Sequence, residues 1–341
     1  MAVKPTIVIQ KWVLVRLKSA TASGFSNSTI CGRRATQMTP VKATRNNVVF
    51  FDHLFLGVGD METAHTFYEQ GLGLLYDPSV KSGQKKGVGV SWLSVGHQQV
   101  HIDQEEEVSR TPGAVKLLLP KLADIEEQLH KLQPRFVNTC FAFDFPPSPQ
   151  AATVVDPWGQ QFSVTDSSGG NPNSSSVEGL VLPCHPGTAD AIAEFYRRIV
   201  GAEAREHTDD DGVYCKVDLG YGTSFMFRED PQLGSLETQK AVQAYEGWHC
   251  ALYVLDFEET YSRVVQAGIN QTDHPYKDKA DTLEGAKQWN QFRFADIVAV
   301  EDSPPHADTT YHKGQLLYRF GHEIRSLDHR RCPKILHEVE R

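Results

Sequence analysis

One pattern occurs twice in this chain. His53-Leu-Phe-Leu-Gly-Val-Gly-Asp leads into Met61-Glu-Thr-Ala-His-Thr-Phe67-Tyr68 and then Gly71-Leu-Gly-Leu. About 128 residues later, Gly179-Leu-Val-Leu-Pro-Cys-His-Pro-Gly leads into Thr188-Ala-Asp-Ala-Ile-Ala-Glu-Phe195-Tyr196 and then Val200-Gly-Ala. Each copy reads as a short apolar strand, a polar turn, an amphipathic helix ending in Phe-Tyr, and a glycine exit. A repeat of this length makes each copy a supersecondary unit that needs a neighbour to bury its apolar face. Ser167-Ser-Gly-Gly-Asn-Pro-Asn-Ser-Ser-Ser176 separates the copies and has the composition of a flexible linker.

Each half divides again. In the first, residues 51–58 predict a strand, 61–71 a helix, and 87–95 with 98–104 a hairpin turning at Gly96-His97. Residues 115–119 then predict a strand and 122–132 a helix, since apolar residues recur at 122, 125, 129 and 132. Strands follow at 139–145, 151–155 and 161–165. The second half repeats the order: strand 179–183, helix 188–199, strands 213–219 and 223–228. Then come strand 249–255, helix 257–267, strands near 291–299 and 314–320, and a closing strand at 324–327. The fold class is α+β: four βαβββ units, expected to pair within each half. The predicted organisation is a leader at 1–47, domains at 48–166 and 177–328 joined by linker 167–176, and a charged tail at 329–341. The longer, polar region 270–312 predicts an inserted loop over a cleft.

Charge is unevenly placed. The first 51 residues hold eight basic residues and no acid, and are rich in Ser and Thr. That composition predicts an organellar transit peptide, plastid first and mitochondrial as the alternative. The rest carries 26 basic and 43 acidic residues, which argues against a nucleic-acid partner. No stretch is apolar for the ~20 residues a membrane span needs. Six scattered cysteines without a Cys-x-x-Cys read as reduced structural thiols. Asp209-Asp-Asp211 lacks the spacing of a calcium loop and reads as a solvated turn. Phosphate-loop, dinucleotide and serine-elbow motifs are absent.

Three stretches carry a resemblance: Asp52-His53-Leu-Phe-Leu-Gly-Val with Phe67-Tyr68 and Gly71-Leu-Gly; Val154-Val-Asp-Pro-Trp-Gly-Gln-Gln-Phe-Ser-Val164; and Gly247-Trp-His249-Cys-Ala-Leu-Tyr-Val-Leu-Asp-Phe257. Together they resemble the vicinal oxygen chelate superfamily, which includes glyoxalase I, fosfomycin- and bleomycin-resistance proteins and extradiol dioxygenases. The resemblance spans roughly residues 50–328. It implies paired βαβββ units whose curled sheets enclose a cleft, with a divalent metal (Fe, Mn, Zn or Ni) held by inward His, Glu or Gln. Such a metal polarises vicinal oxygens of a small-molecule substrate.

Measured against that expectation, each half supplies two metal ligands. His53 and His101 stand in the first half, with Asp103 on the same strand face as His101 and placed to act as a base. His249 and Glu323 stand in the second, with Arg325 at the position where such a family carries Glu. Gly179, Ser163, the strand at Val115 and the strand at 223–227 offer no ligand. Arg325 could instead grip a carboxylate through its guanidinium fork. Trp92, Phe141 and Trp158 are the apolar lining expected of a substrate cleft. His322, His329 and His337 read as exposed. Two functions stay open: a metal-dependent lyase, isomerase or dioxygenase, and a metal-free small-molecule binder. The chain is expected to be a monomer or homodimer.

Overall fold

The computed structural model describes residues 46–77, 90–147, 151–167, 174–234, 236, 247–271, 280–304 and 309–337. Almost all of the leader, most of the linker and part of the 270–312 region lie outside the described residues. The first unit contains β1 (Val48–Val58), α1 (Met61–His65), β2 (Leu75–Tyr76), β3 (Ser91–Val95) and β4 (Gln98–Gln104). The second contains β5 (Ala114–Leu119), α2 (Leu122–Leu132), β6 (Ala142–Asp144), β7 (Ala152–Val155) and β8 (Gln161–Asp166). The third contains β9 (Ser176–Cys184), α3 (Ala189–Phe195), β10 (Ala204–Asp209), β11 (Gly212–Asp218) and β12 (Ser224–Glu229). The fourth contains β13 (His249–Val254), α4 (Phe257–Gln266), α5 (Leu283–Trp289), β14 (Gln291–Val298) and β15 (Leu316–Ser326).

The four units form two mixed sheets. The first has the order β14-β15-β13-β1-β4-β3-β2 and the second β10-β11-β12-β9-β5-β8-β7-β6. The first unit therefore pairs with the fourth, and the second with the third. That corrects the expectation that neighbours in sequence share a sheet. At each centre the leading strands meet antiparallel, β1 on β13 and β5 on β9.

The repeat is faithful down to helix geometry. Asp60 caps α1 by accepting from Thr63 N at 2.7 Å. Both α1 and α3 widen into a π turn at their ends, over Thr66–Gly71 and Tyr196–Val200. The widening turns Phe67-Tyr68 and Phe195-Tyr196 into the core, all buried. Tyr68 donates its hydroxyl to Asp156 Oδ2 at 2.9 Å, and the Tyr196 hydroxyl is 2.7 Å from His322 Nε2. The core lies between the sheets. Phe225 and Phe227 of β12 meet Phe320 and Tyr318 of β15 edge-on at 5.5 and 5.2 Å. With a period of two along a strand, core residues alternate with residues on the opposite sheet face.

Several expectations change. The strands expected at 314–320 and 324–327 are one strand, β15. An extra strand, β10, follows the third unit's helix, and Asp209 in its hairpin binds Arg228 at 2.7 Å. Helix α5 lies in the region read as loop, capped by Thr282 accepting from Gly285 N at 3.1 Å and closed by Asn290 at φ 52°. His322 and His329 are buried rather than exposed. His322 shares the core face with Phe320 and stacks on Phe294 at 4.2 Å. The described part of the expected charged tail, residues 329–337, packs on the fold: Leu336 meets Phe50 and Tyr253.

Candidate metal centre

Strand register lines up the polar residues of the first sheet in rows. Gln99, His53, Ala251, Glu323 and Arg293 follow one another across β4, β1, β13, β15 and β14. The next row holds Trp92, His101, Phe55, His249 and Gly321. Gln291 and Arg325 pair in a row on the other side. The parity that sends Phe320, His322 and Ile324 into the core sends Glu323 and Arg325 to the opposite face. That face opens onto a cavity of about 610 Å³ lined by His53, Phe55, Trp92, His101, His249 and Glu323, among others.

His53, His249 and Glu323 each offer one donor atom, and the three atoms lie within 4.8 Å of one another. Three of the four ligands assigned by sequence to separate halves therefore meet in one site. His249 Nε2 is 3.8 Å from Glu323 Oε2. His53 Nδ1 is 2.9 Å from Asp52 Oδ2. A carboxylate only accepts, so Nδ1 carries the proton and Nε2 keeps its lone pair. This carboxylate–histidine contact orients and strengthens metal-ligating imidazoles.

Burial, ahead of the neighbouring cations, holds the pKa values of His53 and His249 well below the ordinary histidine range. Both are neutral, as ligands must be. Burial alone would raise the Glu323 carboxyl, but Arg293 and Arg325 outweigh it and hold it well below its usual value. Arg325 donates from Nε to Glu323 Oε1 at 2.6 Å, from Nη1 to Asp52 Oδ2 at 2.6 Å, and from Nε to Gln291 Oε1 at 3.0 Å. Arg293 binds Glu323 Oε2. Two guanidinium groups thus balance two carboxylates. Removing one member of such a buried network costs roughly 3–5 kcal/mol, because its partner is left charged and unpaired.

His101 is not among the three converging donors. It lies between His53 at 3.8 Å and Trp92 at 4.2 Å, both stacked on it. Gln99 Nε2 donates to Asp77 Oδ2 at 2.8 Å, which turns Gln99 Oε1 toward His101 Nε2, 2.8 Å away. His101 Nε2 is then the protonated nitrogen, and Nδ1 has a free lone pair.

Other expected site residues fall elsewhere. Asp103 pairs in register with Gly57, one step along β4 from His101, and does not line the cavity. Phe141 packs on Phe136 and Phe143 at 4.7 and 5.5 Å, and the Trp158 indole nitrogen abuts Gly59. Both belong to the second unit, whose strands are in the other sheet, so neither reaches the cavity. Arg325 does line it, with its guanidinium taken up by Asp52, Glu323 and Gln291. Sequence reasoning missed Asp52, Arg293, Phe55 and Trp289. The adjacency Asp52-His53 was a usable signal; Arg293 had none before β14 was in register.

The second sheet shows what an unfurnished site looks like. Its register puts Gly179, Ala114 and Ser163 where the first sheet has His53, His249 and Glu323.

The sequence model of the Glyoxalase/Bleomycin resistance protein/Dioxygenase superfamily matches residues 50–166. A search of curated proteins gives no significant match. Among solved structures, glyoxalase I from Zea mays aligns at 12% identity over 81% of this chain and 92% of its own, with a TM-score of 0.49. A putative dioxygenase from Bacillus subtilis aligns at 13% over 82% and 86%, with a TM-score of 0.47. A putative glyoxalase family protein from Bacillus anthracis aligns at 21% over 36% and 98%, with a TM-score of 0.28. These alignments say nothing of the chemistry, which has to come from the residues of this chain.

Proposed function

We propose that this protein, whose residues 50–166 match the sequence model of the Glyoxalase/Bleomycin resistance protein/Dioxygenase superfamily, is a divalent-metal enzyme acting on a small, oxygen-rich metabolite, with dioxygenase-type chemistry ahead of a lyase or isomerase. The observation that carries this is the meeting of His53, His249 and Glu323 beside an open cavity. Two imidazoles and one carboxylate are the donor set of non-haem ferrous oxygenases, and the set also suits manganese. Lyases of the glyoxalase type would draw on further protein donors, and His101 is held by Gln99 and stacking instead.

The donors fit such an ion. Both imidazoles are neutral, the carboxylate is ionised, and Asp52 supplies the hydrogen bond that fixes His53. A divalent ion held there would act as a Lewis acid on two neighbouring oxygens of the substrate. The chain's own groups would do the rest. His101, which lines the cavity, would be the group to take a proton from a substrate hydroxyl, in the role expected of Asp103, although burial makes it a weaker base than a solvated imidazole. Phe55, Trp92 and Trp289 would hold an apolar or planar body and exclude water. Arg293 and Arg325 keep Glu323 ionised and oriented.

A second reading has support in one feature. Both oxygens of Glu323 are already held by guanidinium groups, so the ionic network is complete without a metal. That favours a metal-free binder of small molecules. Elemental mass spectrometry on protein starting at Thr44 separates the two. The enzyme reading expects stoichiometric metal in the native protein, lost in both His53→Ala and His249→Ala. Retention in either variant contradicts a shared site. No metal in any preparation, after incubation with ferrous iron, manganese, zinc and nickel, leaves the binder.

A further inference from the structure

Four arginines line the cavity, and they fall into two pairs. Arg293 and Arg325 lie inside and are consumed by Glu323 and Asp52. Arg330 and Arg331 lie at the mouth and are exposed. Among the described residues, no carboxylate comes within ion-pair distance of either. Arg331 is nonetheless held in place. Its guanidinium carbon sits 3.9 Å above the centre of the Trp92 ring, a cation–π contact that leaves the N–H edge of the fork open. Trp92 stacks on His101, and His101 on His53. The cation is thus three stacked layers from a candidate metal ligand, on the same wall of the same cavity.

The segment bearing it is anchored rather than frayed. His329 Nδ1 is 3.2 Å from the Tyr253 hydroxyl. Tyr221 donates its hydroxyl to Ile335 O at 3.3 Å. Cys332 N donates to His329 O at 2.8 Å. Leu336, 1% exposed, plugs into the small core formed with Phe50 and Tyr253. A preorganised guanidinium loses less freedom on binding than one on a mobile tail.

Charge points the same way. The inner network is neutral by itself, so a divalent cation at His53, His249 and Glu323 leaves the cavity two charges positive. Arg330 and Arg331 add to that, against Asp328 at the rim and the more distant charge of Asp77. A chelating group that loses its proton supplies one compensating charge, and the mouth asks for another.

We propose that Arg331, stacked on Trp92, is a specificity determinant that selects substrates carrying a carboxylate remote from the chelating oxygens. The planar fork takes such a group through two parallel N–H···O bonds. Oxygens at one end of the substrate then meet the metal centre, and the carboxylate at the other end meets the strap formed by residues 328–336. This rests on the metal reading of His53, His249 and Glu323.

The test compares two probes that share vicinal oxygens and differ in one group: 3,4-dihydroxybenzoate and catechol. Both are titrated calorimetrically into cobalt(II)-loaded native protein, Arg331→Gln and Arg331→Lys, with cobalt binding followed separately by its visible spectrum. The native protein should prefer the carboxylate probe by tenfold or more, the scale of a charge-assisted two-point contact. Arg331→Gln should bring the two probes level, with cobalt affinity and catechol affinity unchanged. Arg331→Lys should recover part of the preference, since it restores charge without the fork. A native protein that binds both probes equally, or neither, overturns the proposal, as does Arg331→Gln keeping the native preference. Native protein that takes up no cobalt sinks the metal reading instead. The same titrations on metal-free protein then decide the role of Arg331 by the same criterion.

Discussion

At the scale of single residues, protonation decides whether this site can receive a metal. A solvated imidazole titrates near pH 6.5, and protons then compete with metal as the pH falls through that value. Burial places His53 and His249 well below it. Each neutral form therefore persists as the pH drops below 6.5, and affinity should be lost only on reaching the lower, folded-state pKa values. Cobalt titrations at pH 8, 7 and 6 should give one dissociation constant. A decline setting in near pH 6.5 and steepening to about tenfold per pH unit for each imidazole would mean that the imidazoles titrate as if solvated. The sequence showed these histidines and the strand face they occupy. It could not show that Asp52, which burial raises against the pull of Arg325, is the group that orients one of them.

At the scale of elements, two matching strands have met different fates. β1 and β9 lead equivalent units, yet one carries His53 where the other carries Gly179. The backbone explains the difference. Gly179 has φ +145°, and a Cβ there would stand 1.9 Å from Ser224 O on the adjacent strand. Only glycine tolerates that conformation and that approach. Gly179→His should therefore not furnish the second sheet with a ligand. It should destabilise the protein by about 3 kcal/mol, the sum of backbone strain and displaced strand pairing, read as a lower urea midpoint. An unchanged midpoint would show that β9 can relax. Helix α5 teaches a related point. Its Thr282 cap and Asn290 stop are local signals present in the sequence, but polar composition hid a helix of seven residues. By contrast α2, at Leu122–Leu132, coincides with its prediction, because four apolar residues at helical spacing leave little choice.

At the scale of the whole molecule, the metal centre is a long-range object. His53 and His101 come from one end of the described chain, His249, Glu323 and Arg331 from the other, and β1 meets β13 to join them. Residues 46–167 alone would leave β1 with an unpaired edge and only two of the candidate histidines. That fragment should neither bind cobalt nor unfold cooperatively. Mixed with a fragment covering residues 174–337, it should regain cobalt binding, detected by the visible spectrum. Stoichiometric cobalt binding by the first fragment alone would contradict a site shared between the first and fourth units. The shared core between the sheets likewise predicts one unfolding transition for the whole.

What the sequence determined by itself was local. Hydrophobic periods of two and of about 3.6 specified strands and helices, the repeat specified four units, and strand parity put His101 with Asp103 and Glu323 with Arg325 on common faces. Tertiary structure alone decided which unit pairs with which. Backbone hydrogen bonds at a strand edge are nearly indifferent to the partner. The choice falls to side-chain packing between residues as distant as Phe51 and Phe225, or Tyr196 and His322. No pattern within one segment encodes that choice. By pairing the first unit with the fourth, it turned two incomplete pairs of ligands into one set of three.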